Sequence, residues 1–223
     1  MNTDDSKRVW GKFYANGVRS RYEAFGVGSK IVVRPVPALQ LSLALDSTSE
    51  TDRQRCVKLI PVNGPAGWYV SRLAGKLRSL AFRAEWNFRP ELSLQYYGNP
   101  FGSTLRFSEF RRVLAPEAAD YVRRFGAMLP ARLEDGRYSF DENGDGLIDY
   151  QLDDPDGNGA SLRSNLVLKW EYRCGSTLYL VWSQQRNGAT ASKDEDAWSV
   201  LGGLRHQPPN NQFMVNVTCW FSS

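Results

Sequence analysis

The clearest indication of the fold is an alternating pattern of apolar and polar residues in the segment Leu80-Ala81-Phe82-Arg83-Ala84-Glu85-Trp86-Asn87-Phe88-Arg89-Pro90-Glu91-Leu92-Ser93-Leu94. Apolar and polar residues alternate as far as Arg89, Pro90 interrupts the pattern, and the alternation resumes at Leu92. Successive side chains of a β-strand point to opposite faces, and Pro cannot donate a hydrogen bond within a sheet. The segment therefore predicts two antiparallel strands joined by a tight turn.

The same hairpin pattern occurs at two further places in the chain. Residues 33–41 alternate on both sides of a Pro-rich turn, and residues 172–180 alternate on both sides of Cys174-Gly175. Similar alternation marks residues 25–33, 166–172 and 213–221. Because consecutive hairpins build an up-and-down meander, the expected fold class is all-β with an antiparallel sheet.

Alternation with period two fits a soluble sandwich as well as a membrane barrel, but three features favour the barrel. Charged pairs such as Arg83 with Glu85 lie mid-strand on the polar face, as in a barrel lumen. Aromatic residues collect on the apolar face near the tight turns, where an interfacial girdle would lie. The connections are short at the three turns but long over about residues 100–163 and 186–211.

The sequence thus predicts one domain over residues 1–223, an antiparallel up-and-down meander that forms an outer-membrane-type β-barrel or the C-terminal part of one. Long loops would lie on one rim, with the largest, acidic loop at about residues 100–163. The alternative is a soluble sugar-binding β-sandwich. In that case four large apolar side chains would lie in a closed core: Leu80, Phe82, Trp86 and Leu168.

Residues 116–126 are expected to form a short helix within the long middle loop. Pro116 suits the first helical turn and Gly126 suits the end of a helix. Ala118, Tyr121, Val122 and Phe125 would share one face of that helix. Residues 47–55 are expected to form an external loop, and a strand is expected to start at Trp68.

Residues 141–149 form the sharpest chemical motif, because oxygen-bearing side chains alternate and a Gly follows the third of them. This spacing matches much of a calcium-binding loop, whose ligands are carboxylate and amide oxygens. The match fails at the twelfth position, which is Leu152 where an EF-hand needs Glu. A solvated acidic loop remains the alternative to a structural calcium site. The candidate calcium ligands are Asp141, Asn143, Asp145 and Asp149.

Composition restricts the functional classes open to the chain. The formal net charge of +4 comes from basic residues that are spread along the sequence, so nucleic-acid binding is not expected. Mean hydropathy is −0.46, and no stretch is apolar enough for a membrane helix. The first eight residues lack the apolar core of a signal peptide, so an outer-membrane barrel requires this chain to be the C-terminal piece of a longer exported precursor.

Catalytic and redox motifs are scarce. The three cysteines, Cys56, Cys174 and Cys219, have no metal-binding spacing and give no disulfide framework. His206, the one histidine, has no nucleophile or acidic partner nearby in sequence. The sequence therefore leans against an enzyme. A membrane-associated hydrolase, using His206 and the acidic loop, remains an alternative.

Two segments carry a resemblance to a known family. RPELSLQYYGNPF, residues 89–101, and SLRSNLVLKWEYRCGSTLYLVWSQ, residues 161–184, resemble the uncharacterised C-terminal domain of bacterial envelope proteins that carry an upstream family 9-like carbohydrate-binding module. That family usually has Pro where Cys174 stands and usually ends on the aromatic residue that is Phe221 here. The resemblance covers nearly the whole chain and is weakest over residues 126–159.

The resemblance implies a fold and a location. It implies an outer-membrane β-barrel of a Gram-negative-type bacterium, which in full-length members of the family follows a signal peptide and a binding module. The expected partners are outer-membrane lipid, the barrel-insertion machinery and a carbohydrate ligand. The expected function is to anchor or pass carbohydrate-like ligands.

Overall fold

The computed structural model describes residues 7–20, 22–190 and 197–221, most of which are in β-strands. Within these residues the chain forms one α-helix and two 3-10 turns, Val122–Arg124 and Leu204–His206. The strands and the helix are β1 (Val9–Arg19), β2 (Tyr22–Val36), β3 (Leu39–Val57), β4 (Ile60–Pro61), β5 (Tyr69–Arg89), β6 (Leu92–Val113), β7 (Phe125–Met128), β8 (Ala131–Glu134), β9 (Arg137–Phe140), β10 (Tyr150–Asp153), β11 (Gly157–Arg173), β12 (Ser176–Thr190), α1 (Ala197–Gly203) and β13 (Asn210–Thr218).

The main sheet is an antiparallel meander, which confirms the predicted all-β class. Its strand order is β1-β2-β3-β5-β6-β11-β12-β13, with β7 paired to one end of β6. A second, small sheet has the order β4-β10-β9-β8. Over the described residues β1 pairs only with β2 and β13 pairs only with β12, so the main sheet is not closed into a barrel.

The three predicted tight turns are confirmed and lie at the same rim of the main sheet. They connect β2 to β3, β5 to β6 and β11 to β12, each through two residues. Gly175 in the last of these turns has a φ of +71°, a conformation that costs Gly less than other residues. We call this edge the short-turn rim and the opposite edge the long-loop rim.

The loops at the long-loop rim are shorter than predicted. The middle connection runs over residues 114–156 because β6 and β11 extend into the expected loop. The second long connection is shortened by β12, which reaches Thr190, and its residues 191–196 lie outside the described residues. Residues 47–55, expected to be a loop, belong to β3. The strand expected at Trp68 begins at Tyr69.

The extent of β6 was not predicted because its large apolar residues change faces along the strand. Tyr96 lies on one face of the main sheet, whereas Phe101 and Phe107 lie on the other. A strand whose apolar side changes has no single alternating pattern over its whole length.

The helix predicted at residues 116–126 is wrong, because only the 3-10 turn at residues 122–124 forms there. The Asp120 carboxylate accepts the N–H of Val122 (3.0 Å), and Arg124 donates to the carbonyl of Ala118 (2.6 Å). These local bonds compete with helical hydrogen bonding. Gly126 is extended in β7. The α-helix lies instead in the connection between β12 and β13.

On β2 and β3, the two faces of the main sheet differ in burial. The face of Leu43, Phe82 and Trp86, here called the apolar face, is exposed over much of its area. The side chain of Ile31 on this face is 54% exposed, whereas that of Val32 on the opposite, polar face is 1% exposed. Likewise Ser42 on the polar face is buried and Leu43 is 41% exposed. The residues expected in the core of a β-sandwich therefore do not lie in a closed core.

The connections at the long-loop rim fold into a compact cap with its own core. The small sheet packs with the adjoining ends of β5 and β6 around six buried residues, and Tyr69 lies on the same face of β5 as Arg83. The cap therefore adjoins the polar face rather than the apolar face. The buried core residues of the cap are Leu59, Tyr69, Phe110, Leu129, Phe140 and Tyr150.

Helix α1 lies against the opposite face at the same rim. Val200, together with Leu204 just after the helix, packs against Ala160 and Leu162 of β11. Gly102 of β6 faces the backbone of Ala197 so closely that a side chain there would meet the carbonyl oxygen. The helix thus covers the long-loop end of the apolar face and leaves the rest of that face exposed.

Candidate functional site

Polar side chains form two parallel rows across the polar face, which the register of the strands brings into line. The first row crosses β5, β6, β11, β12 and β13, and the second lies one step nearer the long-loop rim. Facing residues of neighbouring antiparallel strands lie about 5 Å apart, so each row is nearly continuous. We call the two rows the polar belt. The first row is Arg83, Tyr97, Asn165, Ser183 and Gln212; the second row is Asn99, Arg163, Gln185 and Asn210.

Arg83 is the cation at one end of the first row. Its guanidinium lies over the ring of Tyr97, 5.4 Å from the ring centroid. Its Nη1 atom is 3.9 Å from Oε1 of Glu85, and both side chains are substantially exposed. Such an exposed ion pair is weak, so the Arg83 guanidinium keeps donors for a ligand. Arg83 and Glu85 line a cleft of about 220 Å³ together with Gln95, Tyr97 and Asn165.

Arg163 is the cation of the second row. It is exposed and lines a cleft of about 160 Å³ with Asn165, Ser183 and Gln185. No acidic side chain in the described part of the chain lies within ion-pair distance of Arg163. Asn165 lines both clefts, so the two arginines belong to one connected polar surface.

The acidic residues on the polar face of β3 already have partners. Asp46 accepts a hydrogen bond from the Tyr14 hydroxyl, and Glu50 accepts one from the Tyr22 hydroxyl (2.7 Å). The ammonium of Lys30, on the polar face of β2, lies 5.9 Å from the ring centroid of Trp10. Asp46 and Glu50 are therefore engaged by neutral hydroxyls, and the positive charge of Lys30 has an aromatic neighbour.

Aromatic side chains concentrate on the apolar face beside the short-turn rim. Trp86 and Phe88 stack with ring centroids 4.3 Å apart, and Trp170 contacts Tyr172 edge to face at 6.0 Å. Trp220 follows β13 and packs against Gly175 of the nearest turn. Rings with one polar end favour the boundary between water and hydrocarbon.

The candidate calcium ligands lie in the cap, between β9 and β10. The Asp141 carboxylate accepts the N–H groups of Gly144 (2.6 Å) and Gly146 (2.9 Å). Asp145 accepts the N–H of Leu147 (2.8 Å) and the side-chain amide of Asn143 (3.0 Å). These three ligand candidates therefore surround one turn.

Asp149 lies apart from that turn at the base of the loop. It is nearly buried, and its Oδ2 atom accepts the N–H of Glu142 (2.8 Å). The oxygen donors fit calcium in type. However, over residues 7–20, 22–190 and 197–221 no three His, Cys, Asp or Glu side chains are grouped closely enough to hold a metal ion. Calcium binding stays a prediction.

Beneath the loop, Tyr150 links the acidic segment to the cap core. Its hydroxyl donates to Glu142 (2.7 Å), and its ring lies 5.0 Å from that of Tyr69. Burial, reinforced by hydrogen bonding with Tyr69 and Glu142, raises the pKa of the Tyr150 hydroxyl far above its usual value. Tyr150 therefore stays protonated over the physiological pH range.

The residues proposed for a hydrolase do not form a constellation. His206 ends the 3-10 turn that follows α1, whereas the acidic loop belongs to the cap. Among the described residues no hydrogen bond or ion pair joins His206 to the acidic loop. The three cysteines are all free and exposed.

Sequence reasoning missed most of the polar belt. The expected loop over residues 100–163 included Arg163, and Tyr97, Asn165, Ser183 and Gln212 carry no motif of their own. Their alignment depends on the register of five strands. The only sequence signal is that each occupies a polar position of an alternating run.

Comparison with protein-family models, with curated proteins and with solved structures finds no match. The family resemblance of residues 89–101 and 161–184 therefore stays a prediction. No helix in the described residues is long and apolar enough to cross a membrane.

Proposed function

We propose that this chain forms wall strands of a bacterial outer-membrane β-barrel that anchors or passes carbohydrate-like ligands. The observation that carries the proposal is the inverted burial of β2 and β3 in the main sheet. Apolar side chains such as Ile31 and Leu43 are exposed, while the polar face next to them holds buried Val32 and Ser42. An exposed apolar surface of this extent is unusual for a soluble monomer and usual for a lipid-facing wall.

The dimensions of the apolar band support a lipid-facing role. On β5 the band runs from Leu80 to Phe88, which is roughly 27 Å along the strand. If the strand is tilted by about 40°, this length corresponds to about 20 Å along the bilayer normal. Aromatic side chains border the band at the short-turn rim. Helix α1 and the polar residues Ser164 and Gln184 border it on the other side. The band is therefore thinner than the hydrocarbon core of a typical bilayer, about 30 Å, and nearer to the apolar band of about 25 Å that outer-membrane barrels have.

The edges of the sheet support a barrel rather than a free-standing sheet. In hydrocarbon, unpaired backbone groups cannot bond to water, so β1 and β13 each need a further pairing partner. β1 begins and β13 ends at the short-turn rim, so the two edge strands run in opposite directions. They are therefore suited to antiparallel pairing with each other or with further strands of a larger barrel.

The experiment that tests the proposal is refolding with and without detergent. The full chain, diluted from urea, is followed by far-ultraviolet circular dichroism and by electrophoresis of heated and unheated samples. We expect strand structure and a heat-dependent change in mobility only when micelles are present. A folded monomer in buffer alone would contradict the proposal and favour the soluble sugar-binding protein.

A further inference from the structure

We propose that the polar belt binds an acidic oligosaccharide, with Arg83 and Arg163 as the residues that recognise its carboxylates. This inference rests on the proposed function and specifies the ligand of its polar face. The belt combines two guanidinium groups with hydroxyl and amide side chains on five adjacent strands. Its components therefore match both the carboxylates and the hydroxyl groups of such a ligand.

Within the described residues, no strong ion pair competes with an external anion for either arginine. In the described part of the chain, the one ion pair of Arg83 is its long, exposed contact with Glu85, and Arg163 has no acidic partner. A guanidinium presents paired donors that fit a carboxylate in a bidentate manner. The acids of the neighbouring strands, Asp46 and Glu50, are bonded to tyrosine hydroxyls and are less able to satisfy these cations.

The spacing of the arginines suits a chain of sugars rather than a single small anion. Arg163 lies two strands and one row away from Arg83, which corresponds to a Cα separation of roughly 12 Å. Asn165 lies between them and lines both clefts. Amide groups both donate and accept hydrogen bonds, as sugar hydroxyls require. The half-buried ring of Tyr97 adds an apolar surface within the same row.

The test is calorimetric titration of the full chain refolded in micelles, with heat-dependent mobility checked on the same sample. The probes are an oligomer of galacturonic acid, a malto-oligosaccharide of equal length and inorganic phosphate. We expect the acidic oligomer to bind at least about tenfold more tightly than the other two probes, and its affinity to fall as salt rises. We expect Arg163→Gln and Arg83→Gln each to weaken it about tenfold.

Arg132→Gln is the matched control, because Arg132 is an exposed arginine of the cap outside the belt. We expect it to bind the acidic oligomer as the parent does. Three results on a heat-modifiable sample would overturn the inference while the proposed function stands. They are equal binding of the neutral oligomer, equal binding of phosphate, and no binding of the acidic oligomer. Selective acidic binding by a chain that folds without detergent would support the inference and contradict the proposed function.

Discussion

Ile31 and Val32 are adjacent β-branched residues with opposite environments. The Ile31 side chain is exposed on the apolar face, whereas Val32 is buried on the polar face between Trp10 and Ser42 of the neighbouring strands. Both residues are apolar, so alternation alone does not distinguish them. At this scale the environment of a residue depends on which face it occupies more than on its hydrophobicity.

Tyr150→Phe tests the buried hydroxyl of the cap. The folded state keeps this proton above pH 10, whereas an unfolded tyrosine loses it near pH 10. Its raised pKa therefore contributes stability that is fully present below pH 10 and is lost as pH rises further, by up to about 1.4 kcal/mol per pH unit. We expect the free energy of unfolding in guanidinium to fall less steeply above pH 10 in Tyr150→Phe than in the parent. Tyr121→Phe is the control at an exposed position, and its free energy of unfolding should fall with pH as steeply as that of the parent. If the pH dependence were the same in all three proteins, the Tyr150 hydroxyl would not contribute in this way.

Asp145→Asn tests the predicted calcium loop. If Asp141, Asn143 and Asp145 bind calcium around their shared turn, we expect one ion per chain with a Kd of about 10⁻⁴ to 10⁻³ M, as in extracellular modules. Loss of one carboxylate should weaken calcium binding about tenfold or more in a calorimetric titration. Glu134→Gln, at an exposed cap residue outside the loop, is the control. If the parent takes up no calcium at millimolar concentrations, the loop is a solvated acidic turn.

Helix α1 packs on β6 and β11, with a close backbone approach at Gly102. A methyl group at Gly102 would meet the carbonyl oxygen of Ala197, whereas no heavy atom lies within 4 Å of the corresponding position at Gly157. We expect Gly102→Ala to shift the helix and cost about 1 to 3 kcal/mol, and Gly157→Ala to cost far less. Hydrogen exchange of the peptide 197–206 should accelerate only in Gly102→Ala. Equal exchange in both variants would mean that the helix does not depend on this contact.

The elements were predictable where each strand keeps one face polar and the other apolar. Residues 80–94 satisfy this condition, and their two strands and turn are confirmed. The extent of β6 beyond Gly98, towards the long-loop rim, was not predicted. There Phe101 and Phe107 lie on the polar face, which carries polar residues nearer the short-turn rim. Phe107 packs against the apolar core that the cap places on that side. The helix α1 was missed because its stability comes from packing on β6 and β11 rather than from a strong sequence pattern.

The polar belt illustrates what the sequence alone could not provide. The alternating pattern places Arg83 on the polar face, but its neighbours in the row come from residues about 14 to 129 positions further along the chain. Only the register of the strands aligns them. The candidate calcium residues, in contrast, are close together in sequence and are identified by their spacing.

At the scale of the whole molecule, the apolar face should tolerate charge only if it faces water. Leu43→Arg places a cation near the middle of the proposed lipid band, so we expect it to cost about 2 to 4 kcal/mol in phospholipid vesicles. Gln95→Arg adds the same side chain to the polar face of β6 and should change the free energy of unfolding little. Guanidinium titrations of the two variants compare them directly. Equal, small effects would indicate that Leu43 does not contact lipid.

The most direct measurement is spin-label accessibility along β3 in vesicles. Single cysteines at residues 41–45, in a background with serine at the three native cysteines, would report collisions with oxygen dissolved in lipid and with a water-soluble nickel complex. We predict a period of two, with labels at Leu41, Leu43 and Leu45 exposed to oxygen and labels at Ser42 and Ala44 facing away from lipid. The lipid-facing wall would be contradicted if the labels at Leu43 and Leu45 were shielded from oxygen or collided mainly with the nickel complex.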